Sequence, residues 1–217
     1  MEIYIVRHGT TTWNREKRIQ GRNDIDLDPL GIRMADETSR ALKSMGLVFD
    51  LVFSSPLKRA VETARILSPG SEIITDERLI ELDFGKYEGE DSRILPYFGR
   101  EPARYNKEAP SYGAETLTSL LSRTTDFMKE RIDLLAGSDK KVLISVHGAM
   151  NRGLLMYICG TEDFADFWGS GLQSNCGITK VTAFIMQDNT VRYERPGECH
   201  TYYDDSLRID PASLLKD

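Results

Sequence analysis

Cysteine and histidine are scarce in this 217-residue chain, with three of each. Cys159, Cys176 and Cys199 are an odd set without a C-x-x-C pair, which argues against a disulfide framework or a zinc ribbon and leaves buried thiols as the expectation. Long apolar runs are also absent, none approaching the roughly 20 residues that span a bilayer, so no membrane role is expected. The opening run Met1-Glu2-Ile3-Tyr4-Ile5-Val6 is short and meets Arg7 and His8, unlike a signal peptide, so a cytoplasmic protein is expected. Positive charge is in deficit, 28 Lys and Arg against 34 Asp and Glu, and a net charge of -6 argues against general nucleic-acid binding. Any anion must then be held by a local cluster of cations, which makes the position of each Arg informative. There is no Gly-rich Walker loop, and no cysteine is followed six residues later by Arg. Ordinary nucleotide-hydrolase and cysteine-phosphatase chemistries therefore lack their signatures.

What is present is a composition of 40% hydrophobic and 29% charged residues, with no repeat or low-complexity linker. One domain over 1–217 is expected from this length. Apolar segments alternate between strand and helix periods, the pattern of an α/β fold with a largely parallel sheet. Ile3 to Val6 reads as a strand, followed by a polar loop from Arg7 to Asp28. Asp28-Pro29 opens a helix that Gly46 ends, with Asp28 as N-cap. Leu51-Val52-Phe53 is a strand, and Ser55-Pro56 repeats the cap-and-proline arrangement for a helix to about Leu67. Ile73-Ile74 is a short strand. Residues 86–113 lack periodicity and read as an irregular insertion that could cover a site. A helix is expected from about Glu115 to Ala136, a buried strand from Lys141 to Val146 and a helix from about Met150 to Ile158. Ile178 to Met186 and Thr190 to Tyr193 flank Asp188-Asn189, a hairpin signal.

Ligands of open α/β sheets bind beyond the carboxyl ends of the parallel strands. Three polar runs stand at such ends: Arg7-His8-Gly9-Thr10, Ser54-Ser55-Pro56 leading to Arg59, and His147-Gly148. A lone strand-end histidine often does no more than cap a carbonyl. Here two of the three histidines sit at equivalent ends, each followed by a glycine that lets backbone approach a ligand. Two histidines with carboxylates could hold a metal. Arg7 and Arg59 in the same pocket would repel one, and two Arg with two His describe an anion pocket instead. Arginine forks suit phosphoryl oxygens, and a neutral imidazole can attack phosphorus to give a covalent intermediate. An acid must protonate the leaving oxygen; Glu81, within Leu79 to Gly85, is the best placed candidate, although a solvated loop carboxylate has the same pattern. Asp24-Ile25-Asp26-Leu27-Asp28 has the acidic spacing of an aspartyl-phosphate motif. No apolar strand precedes it, and Asp28 stands where a hydroxyl residue is wanted.

With these residues in view, the chain resembles the histidine phosphatase superfamily, in its phosphoglycerate mutase-like branch. The matching motifs are Arg7-His8-Gly9-Thr10 with Trp13-Asn14, Gln20-Gly21 with Asp26-Leu27, and Ser54-Ser55-Pro56-Leu57-Lys58-Arg59-Ala60 through Glu62-Thr63-Ala64. Leu79 to Gly89 and Ser145-Val146-His147-Gly148 complete a set running in family order from residue 3 to about 152. The resemblance implies a three-layer α/β fold, a mixed, mostly parallel sheet with helices on both faces. It implies His8 as phosphorylated nucleophile, Arg7, Arg59 and His147 as the phosphate pocket, and Glu81 as proton donor. Asn14 matches a position that touches the phosphate. Gln20 and Arg152 match family positions too, with support of the site loop and helix as their expected role, and Gln20 is counted on the substrate side as well. No metal or nucleotide cofactor is implied.

Outcome and substrate should depend on the insertion at 86–113, where Arg93, Arg100, Arg104 and Lys107 are interleaved with Tyr97, Phe98, Tyr105 and Tyr112. These cations could grip a second anionic group, or, balanced by Glu88, Glu90, Asp91, Glu101 and Glu108, form a solvated surface. Mutases of the family carry a longer insertion with adjacent arginines. This insertion is short and has no Arg pair, and Ser111-Tyr112-Gly113-Ala114-Glu115-Thr116 resembles the Gly-Glu-Ser/Thr step of the phosphatase branch. A metal-independent phosphomonoester hydrolase acting on a small phosphorylated metabolite is therefore expected, ahead of phosphoglycerate mutase-type transfer. A noncatalytic phosphoester-binding module would have lost the nucleophile or the acid, and both are retained. His200 lies beyond the matched motifs and is expected at the surface or against the tail. The sequence assigns no oligomeric state.

Overall fold

The computed structural model describes residues 1–95, 101–168 and 171–209. Strand β1 (Glu2–Arg7) leads into a loop that carries one short helix, α1 (Thr12–Arg15), and helix α2 (Pro29–Ser44) follows. Next come β2 (Leu51–Ser54), α3 (Lys58–Leu67) and β3 (Ile73–Thr75), then 3-10 turns at Glu77–Leu79, Gly85–Tyr87 and Ser92–Ile94. The chain continues through α4 (Pro102–Glu108), α5 (Leu117–Phe127), β4 (Lys141–Val146), α6 (Gly148–Cys159), β5 (Ile178–Ile185) and β6 (Val191–Tyr193).

The sheet order is β3-β2-β4-β1-β5-β6, with β1 to β4 mutually parallel and β5 and β6 antiparallel. Strands β1 and β4 are buried on both sides after their first residue, as parallel strands covered on both faces must be. Their side chains alternate between two cores. Ile3, Ile5, Val142, Ile144 and Val146 pack with Leu117, Leu120, Phe127, Met150 and Leu154 of α5 and α6. Tyr4, Val6, Val52 and Leu143 pack with Leu42 of α2 and Ala64 and Leu67 of α3 on the opposite face. The result is the three-layer, mixed and mostly parallel architecture expected from the sequence. Each fully buried Ile, Leu or Phe contributes about 1.5–3 kcal/mol, so these two faces are the main source of stability.

Strand order places the chemistry. Strand β4 inserts between β2 and β1, so three parallel strands end side by side, with Arg7 paired to Val146 and Ser54 to Ser145. The residues immediately beyond them, His8, Ser55 and His147, form a row along that edge. Backbone bonds from His8 N to Val146 O (2.9 Å) and Ser55 N to Ser145 O (3.0 Å) extend the ladder into it.

Several local expectations are corrected. The polar loop from Arg7 to Asp28 is not all loop: Thr11 and Asn14 form a reciprocal capping box that nucleates α1. Ser55 does not cap α3. Its N-cap is Leu57, without a side-chain cap, and Ser55 Oγ sits two residues earlier, accepting from Leu57 N (3.3 Å) and from His147 Nε2 (2.7 Å). The helix expected from Glu115 to Ala136 begins at Leu117 behind the Thr116 cap and is α-helical only to Phe127. A π turn (Met128–Ile132) and a 3-10 turn (Asp133–Leu135) complete it. The wider turn keeps Met128 and Ile132 buried, while Asp133 accepts hydrogen bonds from Tyr157 Oη (2.6 Å) and Tyr193 Oη. Helix α6 starts two residues earlier than expected, at Gly148, with His147 as its N-cap. Of the three cysteines only Cys176 is buried; Cys159 ends α6 and Cys199 lies in the exposed tail. The β5–β6 hairpin turns at Asn189, whose φ is +63°. The exposed His200 pairs its backbone with Ile178.

Candidate active site

The Arg7-to-Thr11 loop owes its shape to a close approach with α2. A Cβ on Gly9 would lie 2.7 Å from Gly31 O, and one on Gly31 would lie 2.2 Å from Thr10 O. Gly9 was expected to admit a ligand; its missing side chain instead admits the first turn of α2. Asp28 joins the two segments, accepting from Thr10 Oγ1 (2.8 Å) and from Gly31 N (2.7 Å) as the N-cap of α2. Thr63 of α3 accepts from Gly9 N (3.0 Å), and Asn175 donates to His8 O (2.9 Å). The loop is fixed from three sides.

Its geometry sets opposite tautomers in the two site histidines, whose ring centroids are 5.2 Å apart. His8 Nδ1 lies 2.6 Å from Gly9 O. A carbonyl can only accept, so Nδ1 carries the proton and Nε2 retains its lone pair. His147 Nδ1 receives Arg59 Nε–H (3.2 Å), and its Nε2–H donates to Ser55 Oγ (2.7 Å). Burial, reinforced by Arg59, holds both imidazoles well below their ordinary pKa and so uncharged at neutral pH.

Two buried guanidiniums flank them. Arg59 is fully buried, donating to Asn23 O (2.6 Å) and Gly21 O (2.7 Å) as well as to His147. Burial lowers its pKa to about 10, which leaves it charged at neutral pH. Arg7 donates to Gln173 O (2.8 Å), but its buried Nε has no partner. A buried charged donor without an acceptor is costly, and an anion in the pocket would relieve it. The Glu81 carboxylate accepts from Leu82 N (2.9 Å), Ala149 N (3.2 Å) and Met150 N (3.0 Å), which fixes it at the start of α6. A Cβ on Gly148 would lie 3.7 Å from Glu81 Oε2 and 3.9 Å from Arg7 Cζ. The tight neighbour is Leu172, whose Cδ2 would be 3.0 Å away, so glycine there lets Leu172 pack against the start of α6 beside the carboxyl group and the guanidinium.

The structure thus brings Arg7, His8, Arg59, Glu81 and His147 together at one end of the sheet. Asn14 and Gln20 join them through Thr11, whose hydroxyl lies 3.2 Å from Asn14 Oδ1 and 3.0 Å from Gln20 Oε1. With both amide oxygens turned to Thr11, both NH₂ groups remain as donors. Arg152 is bonded to Phe167 O (2.6 Å), a supporting position on α6. Among the described residues no three His, Cys, Asp or Glu side chains are grouped to hold a metal ion.

Sequence reasoning missed the segment Gln173-Ser174-Asn175, which is buried beside the His8 loop. Gln173 meets Arg7 through its carbonyl and Asn151 through its side chain, and donates to Ile5 O (3.1 Å). This stretch has no periodicity to betray it; a run of three polar residues just before an apolar strand was the available signal. Arg123 was missed as well, and Glu115 was read only as part of a Gly-Glu-Ser/Thr-like step, without a place at the site.

The insertion begins bound to the α1 loop. Gly89 N donates to Ile19 O (2.8 Å), Ile19 N to Glu90 O (2.9 Å) and Ser92 N to Lys17 O (2.8 Å). Arg18 stacks on Trp13, 4.2 Å from the ring centre, and donates to Gly89 O (2.6 Å). Arg93 is paired with Asp91, and Arg104 with Glu101 and Glu108, all exposed. These charges follow the balanced-surface reading. Tyr97, Phe98 and Arg100 lie outside the described residues.

The profile of the histidine phosphatase superfamily (branch 1) matches residues 3–194. A 2,3-bisphosphoglycerate-dependent phosphoglycerate mutase of Parvibaculum lavamentivorans is 34% identical over 167 residues, covering 72% of this chain and 79% of that one. An Arabidopsis thaliana protein named "Probable 2-carboxy-D-arabinitol-1-phosphatase" is 32% identical over 196 residues, covering 84% of this chain but only 38% of its own length. The crystal structure of a mutant phosphoserine phosphatase from Entamoeba histolytica, in complex with phosphoserine, has the same fold. It aligns with a TM-score of 0.73 at 21% identity over 93% of this chain and 97% of that one.

Proposed function

Because the chain belongs to the histidine phosphatase superfamily, branch 1, we propose that it hydrolyses a small phosphomonoester through a phosphohistidine on His8, without a metal ion. The observation that carries this reading is the tautomer of His8. The bond from Nδ1–H to Gly9 O leaves Nε2 unprotonated, between two guanidiniums suited to phosphoryl oxygens. Nε2 attacks phosphorus and the bond to the ester oxygen breaks. Arg7, Arg59 and the Asn14 and Gln20 amides stabilise the equatorial oxygens, and neutral His147, bonded to Ser55 and Arg59, orients the Arg59 fork in the pocket. Two fixed guanidiniums supply the positive charge that a metal provides in other phosphatases.

Glu81 gives its proton to the departing oxygen, so the first product leaves as an alcohol. Water then attacks the phosphohistidine, Glu81 takes the water's proton, the N–P bond breaks and inorganic phosphate departs. Proton and carboxylate return to their starting states. Gly9 O steadies the positive charge that the ring carries while Nε2 bears the phosphoryl group.

Hydrolysis is preferred to mutase transfer because the described arginines of the insertion are paired with their own carboxylates. None is left to hold a carboxylate or second phosphate while the phosphoenzyme waits. Mutase relatives at 34% identity keep the transfer reading as the second choice.

Release of inorganic phosphate from a panel of phosphoesters, measured beside 3-phosphoglycerate isomerisation, tests the choice. Release that persists in chelator and vanishes in His8→Ala is the expected result. Isomerisation without release would replace hydrolase by mutase, and chelator-sensitive activity would refute the metal-free mechanism.

A further inference from the structure

Behind Glu81 lies an ion pair that the reaction above does not use. Arg123, on α5, and Glu115, just ahead of that helix, are both nearly buried, with side chains 15% and 7% exposed. Arg123 Nε and NH2 meet the two oxygens of Glu115 at 2.8 and 3.0 Å. NH1 donates to Arg78 O (2.7 Å) and Ile80 O (2.5 Å), and NH2 also donates to Glu81 O (3.2 Å). A guanidinium has five N–H donors, and here five acceptors meet them. Glu115 closes the arrangement from the other side, its own N–H donating to Asp83 O (2.8 Å) and its Oε2 lying 3.4 Å from Asp83 N.

Stability is a poor reason for such a pair, since desolvation offsets most of the gain from a buried salt bridge and apolar replacements are often neutral. What the pair does control is an irregular backbone, which it holds together with Arg22, whose Nε lies 3.4 Å from Glu81 O and whose NH2 donates to Glu115 (3.2 Å). Residues 80–84 are neither helix nor strand, yet they carry Glu81, whose carboxylate is gripped at its far end by the first N–H groups of α6. Arg123 therefore fixes one end of Glu81 to α5 while α6 fixes the other. The guanidinium is also close enough to help keep His147 uncharged.

We infer that Arg123 and Glu115 are positioning residues that set the Glu81 carboxyl at the height where the leaving oxygen departs, and so govern proton transfer without touching the substrate. The inference rests on the proposed role of Glu81 as proton donor.

The test compares p-nitrophenyl phosphate with an alkyl phosphate drawn from the panel that the wild-type protein hydrolyses. Nitrophenolate departs without a proton, whereas an alkoxide needs one. Because kcat/KM reports the first P–O cleavage, Arg123→Met should lower it on the order of 10- to 100-fold for the alkyl ester and less than about threefold for the nitrophenyl ester. Orthovanadate affinity, which reads the phosphate pocket alone, should change by less than about twofold. Glu81→Gln should show the same asymmetry, and the double variant should be no worse than Glu81→Gln. Glu115→Gln, which keeps size and folding, carries the same comparison if Arg123→Met fails to fold. Equal losses on both esters, or vanadate affinity falling in step with kcat/KM, would overturn the inference while leaving Glu81 in place. Symmetric losses in Glu81→Gln itself would instead remove the proton donor, and with it the reading on which the inference depends.

Discussion

Two uncharged imidazoles buried beside two guanidiniums should make the fold acid-sensitive in a calculable window. His8 is 3% exposed and His147 fully buried. Burial first, and Arg59 next, hold both well below the ordinary value of 6.5. In the unfolded chain each binds a proton near that value, and in the folded chain neither does. Below pH 6.5 the unfolded state therefore holds more protons, and stability falls as the pH falls. For one such group that stays neutral when folded, the loss tends to RT ln(1 + 10^(6.5 − pH)), on the order of 1 kcal/mol at pH 5.5 and almost nothing at pH 7.5. Two groups lose at most about 3 kcal/mol across that interval, a large share of the 5–15 kcal/mol typical of a folded domain. Urea unfolding of the wild type and of a His8→Asn/His147→Asn variant, at both pH values in phosphate-free buffer, isolates the effect. Other titrating groups cancel in the difference, and the wild type should lose more than the variant, by up to about 3 kcal/mol. Parallel behaviour of the two proteins would refute the reasoning, because it would mean that the imidazoles protonate as readily folded as unfolded.

Three further outcomes are expected. Gly31→Ala forces a methyl to within 2.2 Å of Thr10 O; it should cost about 1–3 kcal/mol in urea unfolding and reduce phosphate release by displacing the His8 loop. Thr63→Val, nearly identical in shape, strands the buried Gly9 N–H that now donates to Thr63 Oγ1, at a cost of about 1–3 kcal/mol by thermal or urea unfolding. Arg7→Lys retains the charge but loses the fork, so orthovanadate binding should weaken by about 10- to 100-fold. Its stability should be unchanged or slightly higher, because the partnerless Nε is gone.

The parallel core of the fold was legible because β1, β2 and β4 are short apolar runs with polar punctuation at their carboxyl ends, and that punctuation named His8, Arg59 and His147. The position of β4 between β2 and β1 was not legible, since strand order depends on which helices cover which face. Ser55 reads as a helix cap from its neighbours alone. The helix instead starts two residues later than such a cap requires, and the hydroxyl accepts from Leu57 N and from His147, 92 positions along the chain. Gly9 was read through the ligand, whereas its constraint comes from Gly31 on α2. Glu115 and Arg123, eight residues apart around a helix start, look like an ordinary surface pair. Their burial and their three carbonyl partners exist only once the segment from Arg78 to Glu81 has been laid across α5.

The short ladder joining Lys17 and Ile19 to Gly89, Glu90 and Ser92 has a consequence for how such a chain can diversify. Its rungs are backbone to backbone, so they are indifferent to most side-chain changes on either segment. They pin the root of the insertion while the chain beyond Ser92 stays outside the ladder. On the proposed reading that this insertion covers the pocket, lengthening, shortening or rewriting the outer stretch would alter what can approach His8 and leave the strand-end row intact. A lineage could exchange one phosphorylated metabolite for another at this rim while inheriting the same chemistry unchanged.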